Sequence, residues 1–176
     1  MEAAEYRPHP FIKHLCELAD NRAALAVLRR GLGQPPGYVP EMLRYISPFV
    51  TDRTSRWEER ALYLIASLFA LHPTNTDEGN MGDHLARLKS KDDEDDTALE
   101  RRFTHLLSAH PDDLDVYLRQ AVSILRAKEI PINWNQLLQD VRSWSHPDGR
   151  AQVRRRWARS FWGWRARATE AEDQSE

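Results

Sequence analysis

The sequence predicts an all-α protein of about eight helices arranged as two packed halves. Three features carry that prediction. Apolar residues return every three or four positions along nearly the whole 176-residue chain, the signature of amphipathic helices. Strand-like alternation bounded by tight hairpin dipeptides is nowhere found. Serine, threonine or asparagine stands three residues before glutamate or glutamine at the head of several apolar runs, the spacing of a helix capping box.

Residues 10–19 read as a first helix with Phe11, Leu15 and Leu18 on one face, and Asp20 can cap a second that runs to Arg30. Gly31 and Gly33 stop it. Gln34-Pro35-Pro36-Gly37 is a turn, followed by a short helix over 40–45 that ends near Pro48. Ser55-Arg56-Trp57-Glu58 is a capping box, after which Trp57, Ala61, Leu64, Leu68 and Leu71 repeat at helical spacing up to Pro73. The polar, glycine-containing stretch 74–82 is a loop before a short helix about Leu85 and Leu88.

The acidic run Asp92, Asp93, Glu94, Asp95, Asp96 reads as a solvated linker. It divides the chain into an N-terminal half over 1–91, a linker over 92–96 and a C-terminal half over 97–168. Thr97-Ala98-Leu99-Glu100 opens a helix with Leu99, Phe103, Leu106 and Leu107 inward as far as His110-Pro111. Asp112 or Asp113 can cap the next, which buries Leu114, Leu118, Ala121 and Leu125. After Pro131, Asn133 and Gln136 form a third box for a helix carrying Leu137, Leu138, Val141 and Trp144, broken by His146-Pro147-Asp148-Gly149. The last helix, about 150–168, places Val153, Trp157, Phe161 and Trp164 on one side, and the acidic tail over 169–176 is expected to be disordered. No repeat at a fixed period speaks for a solenoid.

Composition excludes several classes. A content of 41% hydrophobic residues with no uninterrupted apolar run near the roughly 20 residues that span a bilayer fits a soluble globular chain, not a membrane protein. MEAAEYRPHP lacks the charged and apolar regions of a signal peptide, and Cys16 is the single cysteine. Disulfide scaffolds and multi-cysteine zinc modules are excluded, and a reducing cytoplasm is the simplest home.

The net charge of −2 conceals a separation. The acidic run, with Glu170, Glu172, Asp173 and Glu176 of the tail, holds nine of the 27 acids and leaves 18 against 25 bases, a body near +7. All bases except Lys13, Lys89, Lys91 and Lys128 are arginine, whose planar fork suits phosphate and whose face stacks on rings. High arginine use can also follow genome composition.

Catalytic motifs are not found. His9, His14, His72, His84, His105, His110 and His146 form no H-E-x-x-H or other metal-site pattern. His110-Pro111-Asp112-Asp113 and His146-Pro147-Asp148-Gly149 read as helix-stop and helix-start chemistry. Cys16 reads as a small buried hydrophobe, with no base placed for it by local sequence. The acidic run lacks calcium-loop spacing, and Gly31-Leu32-Gly33 lacks the rest of a phosphate loop. No catalytic residue, metal or cofactor is therefore assigned.

The arginines fall in stripes. Positions seven apart nearly superpose on a helix, which pairs Arg22 with Arg29 and Arg119 with Arg126. Arg101 lies opposite Phe103 and Arg102 flanks it. In the last helix Arg154, Arg155, Arg156 and Arg159 surround an apolar stripe, and Trp162 points toward Arg155 and Arg159. Arginines neutralise phosphates without reading sequence and an indole can stack on a base, so the set suits a groove for nucleic-acid backbone. For any single arginine a solvated surface charge is the readier reading, and Trp162 can instead pack on a neighbouring helix or subunit; the set as a whole favours the groove. The other tryptophans, Trp57, Trp134, Trp144, Trp157 and Trp164, sit at core or near-core spacing.

Together these segments resemble the CasB-type small subunit of the type I-E CRISPR surveillance complex, Cascade. The resemblance is carried by Ala26-Val27-Leu28-Arg29-Arg30-Gly31, Tyr45-Ile46-Ser47-Pro48-Phe49 and Met81-Gly82-Asp83-His84-Leu85-Ala86-Arg87-Leu88. It continues in Glu100-Arg101-Arg102-Phe103 with Leu106-Leu107, Tyr117-Leu118-Arg119, Ile132-Asn133-Trp134 and Trp157-Ala158-Arg159-Ser160-Phe161-Trp162. The order and spacing of these pieces hold over about residues 10–165. The resemblance implies a non-catalytic all-α subunit, present as a pair of copies in a ribonucleoprotein for antiviral defence. Its implied partners are the crRNA, the target and displaced DNA strands, the large and backbone subunits, and a second copy of itself. Its basic face would stabilise crRNA–target pairing and hold the displaced strand through backbone contacts, in a nearly balanced R-loop that such contacts can tip.

The positions carried over by resemblance are Arg29, Arg30, Arg87, Arg101, Arg102, Arg119 and Arg126, and the helix reading adds Arg155 and Arg159. Asp83-His84 departs from the small or basic residues expected there, which weakens the case for Arg87, and the acidic run is a local elaboration. Two alternatives stand beside this reading. One is a protein–protein adapter whose basic faces meet acidic subunits; the other is a small helical metal-dependent hydrolase, which needs converging histidines and acids.

Overall fold

A computed structural model of the chain describes residues 8–89 and 93–163, with 93–95 described in backbone alone. Among the described residues every regular element is helical, apart from an isolated bridge between Asn75 and Ile132. The helices are α1 (Pro10–Glu17), α2 (Arg22–Arg29), α3 (Leu43–Ile46), α4 (Arg56–Leu71), α5 (Met81–Ala86), α6 (Asp93–Ser108), α7 (Leu114–Ala127), α8 (Trp134–Ser143) and α9 (Pro147–Trp162). Tight 3₁₀ turns, Pro40–Met42 and Ser47–Phe49, flank α3, and a third, Pro111–Asp113, precedes α7.

The chain is organised around α4. The capping box at its start is fully formed, with the Ser55 hydroxyl accepting from the Glu58 N–H and the Glu58 carboxylate accepting from the Ser55 N–H. Beyond the first turn the helix is buried on nearly every side, with Ile65, Ala66, Leu68, Phe69 and Ala70 fully enclosed. The inward stripe expected through Trp57, Leu64 and Leu71 is wider in fact and rotated, since those three are only half-buried. A helix apolar all round sits where several neighbours meet it. Helices α2, α7 and α8 all pack on α4, so the two halves of the chain contribute to one continuous core.

Several boundaries differ from the sequence-based expectation. Asn21 caps α2 by accepting from the Ala24 N–H, in place of Asp20. Asn80 and Asp83 form a reciprocal capping box at the head of α5. The helix expected to open at Thr97 begins at Asp93, so the backbone of four of the five acids expected in a linker belongs to α6. His110, not Asp112 or Asp113, supplies the side-chain cap before α7, accepting from the Asp112 N–H. Helix α8 ends at Ser143, ahead of the expected break at His146-Pro147-Asp148-Gly149, and Pro147-Asp148-Gly149 is the first turn of α9, where proline's missing N–H costs nothing. The expected tail over 169–176, Asp92 and Trp164 lie outside the described residues.

Tryptophans staple the helices. The Trp57 indole donates to the Val141 and Arg142 carbonyls (2.9 and 3.1 Å), tying the start of α4 to the end of α8. Trp134 donates to the Thr74 carbonyl and Trp144 to the Ala109 carbonyl. Trp157 donates to Asp140 at 2.6 Å; the same buried carboxylate accepts from Gln136 at 2.8 Å and pairs with Arg156. Burial pushes the Asp140 carboxyl above the usual range, against the pull of Trp157, Arg156 and Gln136. Helices α5 and α9 approach closely: a Cβ on Gly82 would lie 2.1 Å from the Trp157 carbonyl oxygen, so only glycine admits this approach.

Candidate nucleic-acid interface

Helices α6 and α7 run as a hairpin through the turn at 109–113, and each presents arginine outward while burying leucine. On α6, Phe103 and Leu106 are buried and Arg101 and Arg102 exposed. On α7, Leu114, Leu118 and Leu125 are buried, while Arg119, Ser123 and Arg126 share an exposed stripe. The stripes meet in a groove of about 550 Å³ lined by Arg102 and Arg119, with Leu32, Leu64, Val116 and Ile124 as its apolar wall and Gln120 and Ser123 as polar partners. Asp115 also lines it, so the two arginines are partly balanced. A second hollow of about 400 Å³ continues the groove past Gly33, Leu64 and Asp115 to Pro35, Pro36 and Tyr63.

The nine sequence-assigned arginines divide by what their guanidinium groups already touch. Arg29 donates through Nε and Nη2 to the Ala70 carbonyl (3.1 and 3.0 Å), closing the C-terminal end of α4. Arg30 pairs with Glu41 at 3.0 Å, both exposed. Arg87, Arg101, Arg102, Arg119, Arg126, Arg155 and Arg159 are exposed and make no ion pair with a described residue. The structure thus brings Arg102 and Arg119 into one groove with Arg126 further along the stripe, places Arg101 beside it on another face of α6, and sets Arg155 and Arg159 apart on α9. In the basic cluster of α9, Arg154 faces inward, donating to the Ala109 carbonyl and lying 5.5 Å from the centre of the Trp144 ring, and Arg156 is held by Asp140.

Val116, Gln120 and Ser123 were not singled out from sequence, although Ser123 stands four residues after Arg119 and three before Arg126, spacing that puts it on their face. Of the residues in the departing Asp83-His84 pair, Asp83 is spent on its own helix cap. His84 is fully buried and its Nε2 accepts from the Asn133 N–H at 3.0 Å. Burial, helped by Arg87 and opposed by Asp83, lowers its pKa to about 4, so it is neutral at pH 7. Cys16 is half-buried, and burial first, then Asp77 and Glu17, raises its thiol pKa, the opposite of an activated nucleophile. Among the described residues no group of three His, Cys, Asp or Glu side chains converges as a metal site, and no helix is long and apolar enough to cross a membrane.

These features define a helical protein whose distinctive surface is open, arginine-bearing helix faces around a groove. The chain belongs to the Cse2 family: the family of CRISPR-associated protein Cse2 matches residues 24–162. A CRISPR-associated protein Cse2 of Thermus thermophilus is 37% identical over 155 residues, covering 88% of this chain and 86% of that protein. Among solved structures, CasB from Thermus thermophilus superposes with a TM-score of 0.74 at 33% identity, covering 87% of this chain and 96% of that one. A chain of a CRISPR RNA-guided surveillance complex superposes with a TM-score of 0.72 at 26% identity, covering 90% and 95%.

Proposed function

We propose that this chain is the small, non-catalytic subunit of a CRISPR RNA-guided surveillance complex, holding nucleic-acid backbone without reading sequence. The observation that carries the reading is the meeting of Arg102 and Arg119, from two helices, in one groove with neither in an ion pair among the described residues. Unpaired arginines on rigid helices are ready to neutralise phosphates, and doing so releases counterions from the strand. The similarity to a chain of a surveillance complex supports the assembly in which the groove works. There the strands on offer are the crRNA, the target strand and the displaced strand, and the protein neighbours are the large subunit, the backbone subunits and a second copy. Arg101, Arg126, Arg155 and Arg159 extend the interface, with Arg87 at its margin; Arg29 and Arg30 contribute less because their donors are already engaged.

The test is fluorescence anisotropy of the full chain with labelled single-stranded DNA, duplex DNA and RNA of unrelated sequences across salt concentration. The expected result is sequence-tolerant binding that weakens steeply with salt, and an Arg102→Glu/Arg119→Glu variant that folds normally but loses about 0.7 of log–log salt slope per single-strand phosphate contact removed. Equal affinity and slope in the variant would overturn the assignment. A second reading, the protein adapter, is favoured by the apolar wall of Leu32, Leu64, Val116 and Ile124 in the same groove. It predicts no nucleic-acid affinity and arginines protected by partner carboxylates in the assembled complex.

A further inference from the structure

Helix α9 turns Val153, Trp157, Ser160 and Phe161 toward the core, which leaves Arg155, Arg159 and Trp162 on its outer side. At 100° per residue these three fall within about 60° of one another. Trp162 is 44% exposed, whereas Trp134, Trp144 and Trp157 are fully enclosed. Its hydrogen bonding sets it apart as well. Trp57, Trp134, Trp144 and Trp157 each donate the indole N–H to a carbonyl or carboxylate; that of Trp162 reaches no acceptor among the described residues. A tryptophan that staples helices ordinarily satisfies this donor, so Trp162 is not used as the others are.

The ring is nevertheless held. Phe103 of α6 and Phe161 stack on each other with centroids 4.1 Å apart at 25°, and Trp162 stands across both at 5.3 Å, at 63° to Phe103 and 87° to Phe161. Lys89 lies 4.1 Å from the centre of the Phe161 ring and 3.9 Å from Glu100. A large aromatic side chain seated on two others loses little rotamer freedom when something stacks on it. The neighbouring arginines supply charge complementarity to an anionic chain.

We infer that the outer face of α9 is a binding site for unpaired nucleotides, in which Trp162 stacks on a base while Arg155 and Arg159 take the adjoining phosphates. This rests on the proposed nucleic-acid function and adds a contact of a different kind from the α6–α7 groove. The groove meets phosphate, which duplex and single strand both offer. An indole needs the face of a base, which only an unstacked strand exposes.

The experiment compares wild type, Trp162→Leu, Trp162→Phe and Arg155→Gln/Arg159→Gln in the full chain. Each is titrated with a labelled mixed-sequence single strand, the same strand carrying abasic sites, and the corresponding duplex. Thermal unfolding of each variant confirms that the Phe103–Phe161 seat survives. Trp162→Leu is expected to weaken single-strand binding about 5- to 150-fold, the range for losing one stacked base. Its salt slope should not change, and neither should its duplex or abasic binding. Trp162→Phe should restore most of the loss, and the arginine pair should lower the salt slope instead.

Wild-type binding with Trp162→Leu within twofold on the base-bearing strand would overturn the inference and leave the groove standing. Equal losses on abasic, duplex and base-bearing strands would overturn it too, because a structural or protein-docking residue behaves that way. No wild-type binding to any strand at low salt would sink both this inference and the function it rests on.

Discussion

Replacing Gly82 by alanine tests the close approach of α5 to α9. The added Cβ would sit 2.1 Å from the Trp157 carbonyl oxygen, 2.8 Å from its carbon and 2.9 Å from Cα, against ordinary contact at 3.4 Å or more. All three are backbone atoms, so no side chain can swing aside; α5 and α9 must separate by about 1 Å. A radial gap of that size forfeits a quarter to a half of the dispersion attraction of the atoms involved, and overpacking of this kind costs about 1–3 kcal/mol or somewhat more. Alanine returns about 0.5–1 kcal/mol through helix propensity. Because backbone atoms cannot yield, the cost falls at the upper end of that range, about 3 kcal/mol, and the net expectation is a loss of about 2–2.5 kcal/mol, which lowers Tm by about 4–10 °C for a chain of this size. Urea unfolding should show a lower midpoint with an unchanged m-value. Gly33→Ala supplies the comparison, because Gly33 has φ +73° but open space around its Cβ position and should lose only the backbone cost of about 1–2 kcal/mol. A Gly82→Ala protein that melts within a degree or two of wild type would refute the argument that close backbone packing joins these helices.

Two further outcomes follow from buried polar groups. Asp140→Ala strands the enclosed Trp157 indole N–H and leaves Gln136 without its acceptor, and should cost about 2–4 kcal/mol in urea unfolding. Arg156→Ala should cost less, because that side chain is nearly half exposed; the reverse order would assign the stability to the ion pair instead. For His84, the folded pKa of about 4 lies below its ordinary 6.5, so the unfolded chain takes up the proton first as pH falls. Its contribution is intact above about pH 6.5 and declines progressively toward pH 4, by about 2 kcal/mol at pH 5. Unfolding midpoints of wild type and His84→Gln measured from pH 7 to 5 should diverge by that slope, and a flat wild-type profile would contradict it.

Local spacing made much of this legible. The box at Ser55–Glu58, the stop at Gly31 and Gly33 and the stripe shared by Arg119 and Arg126 are all settled within two turns of helix. The start of α6 at Asp93 is hidden in the sequence because a run of like charges reads as a linker, although acids are also what a helix N-terminus prefers. The convergence of Arg102 with Arg119 depends on the turn between α6 and α7, and no local rule gives its angle. The engagement of Arg29 is further out of reach, since its acceptor, the Ala70 carbonyl, lies 41 residues away. Sequence marks which faces carry arginine, and only packing decides which arginines remain open.

The enclosure of α4 by later helices has a consequence for how the chain is made. Helix α4 ends at Leu71, and α8, which covers one of its sides, begins at Trp134. At about 5–20 residues per second a ribosome needs roughly 3–13 s to supply those intervening residues. For that interval Leu68, Phe69 and their neighbours form an apolar surface without its final cover, and an N-terminal fragment released early would carry it permanently. Nascent chains of this protein should therefore engage apolar-binding chaperones until α8 emerges, and the two halves, expressed separately, should be insoluble alone and recover structure when synthesised together.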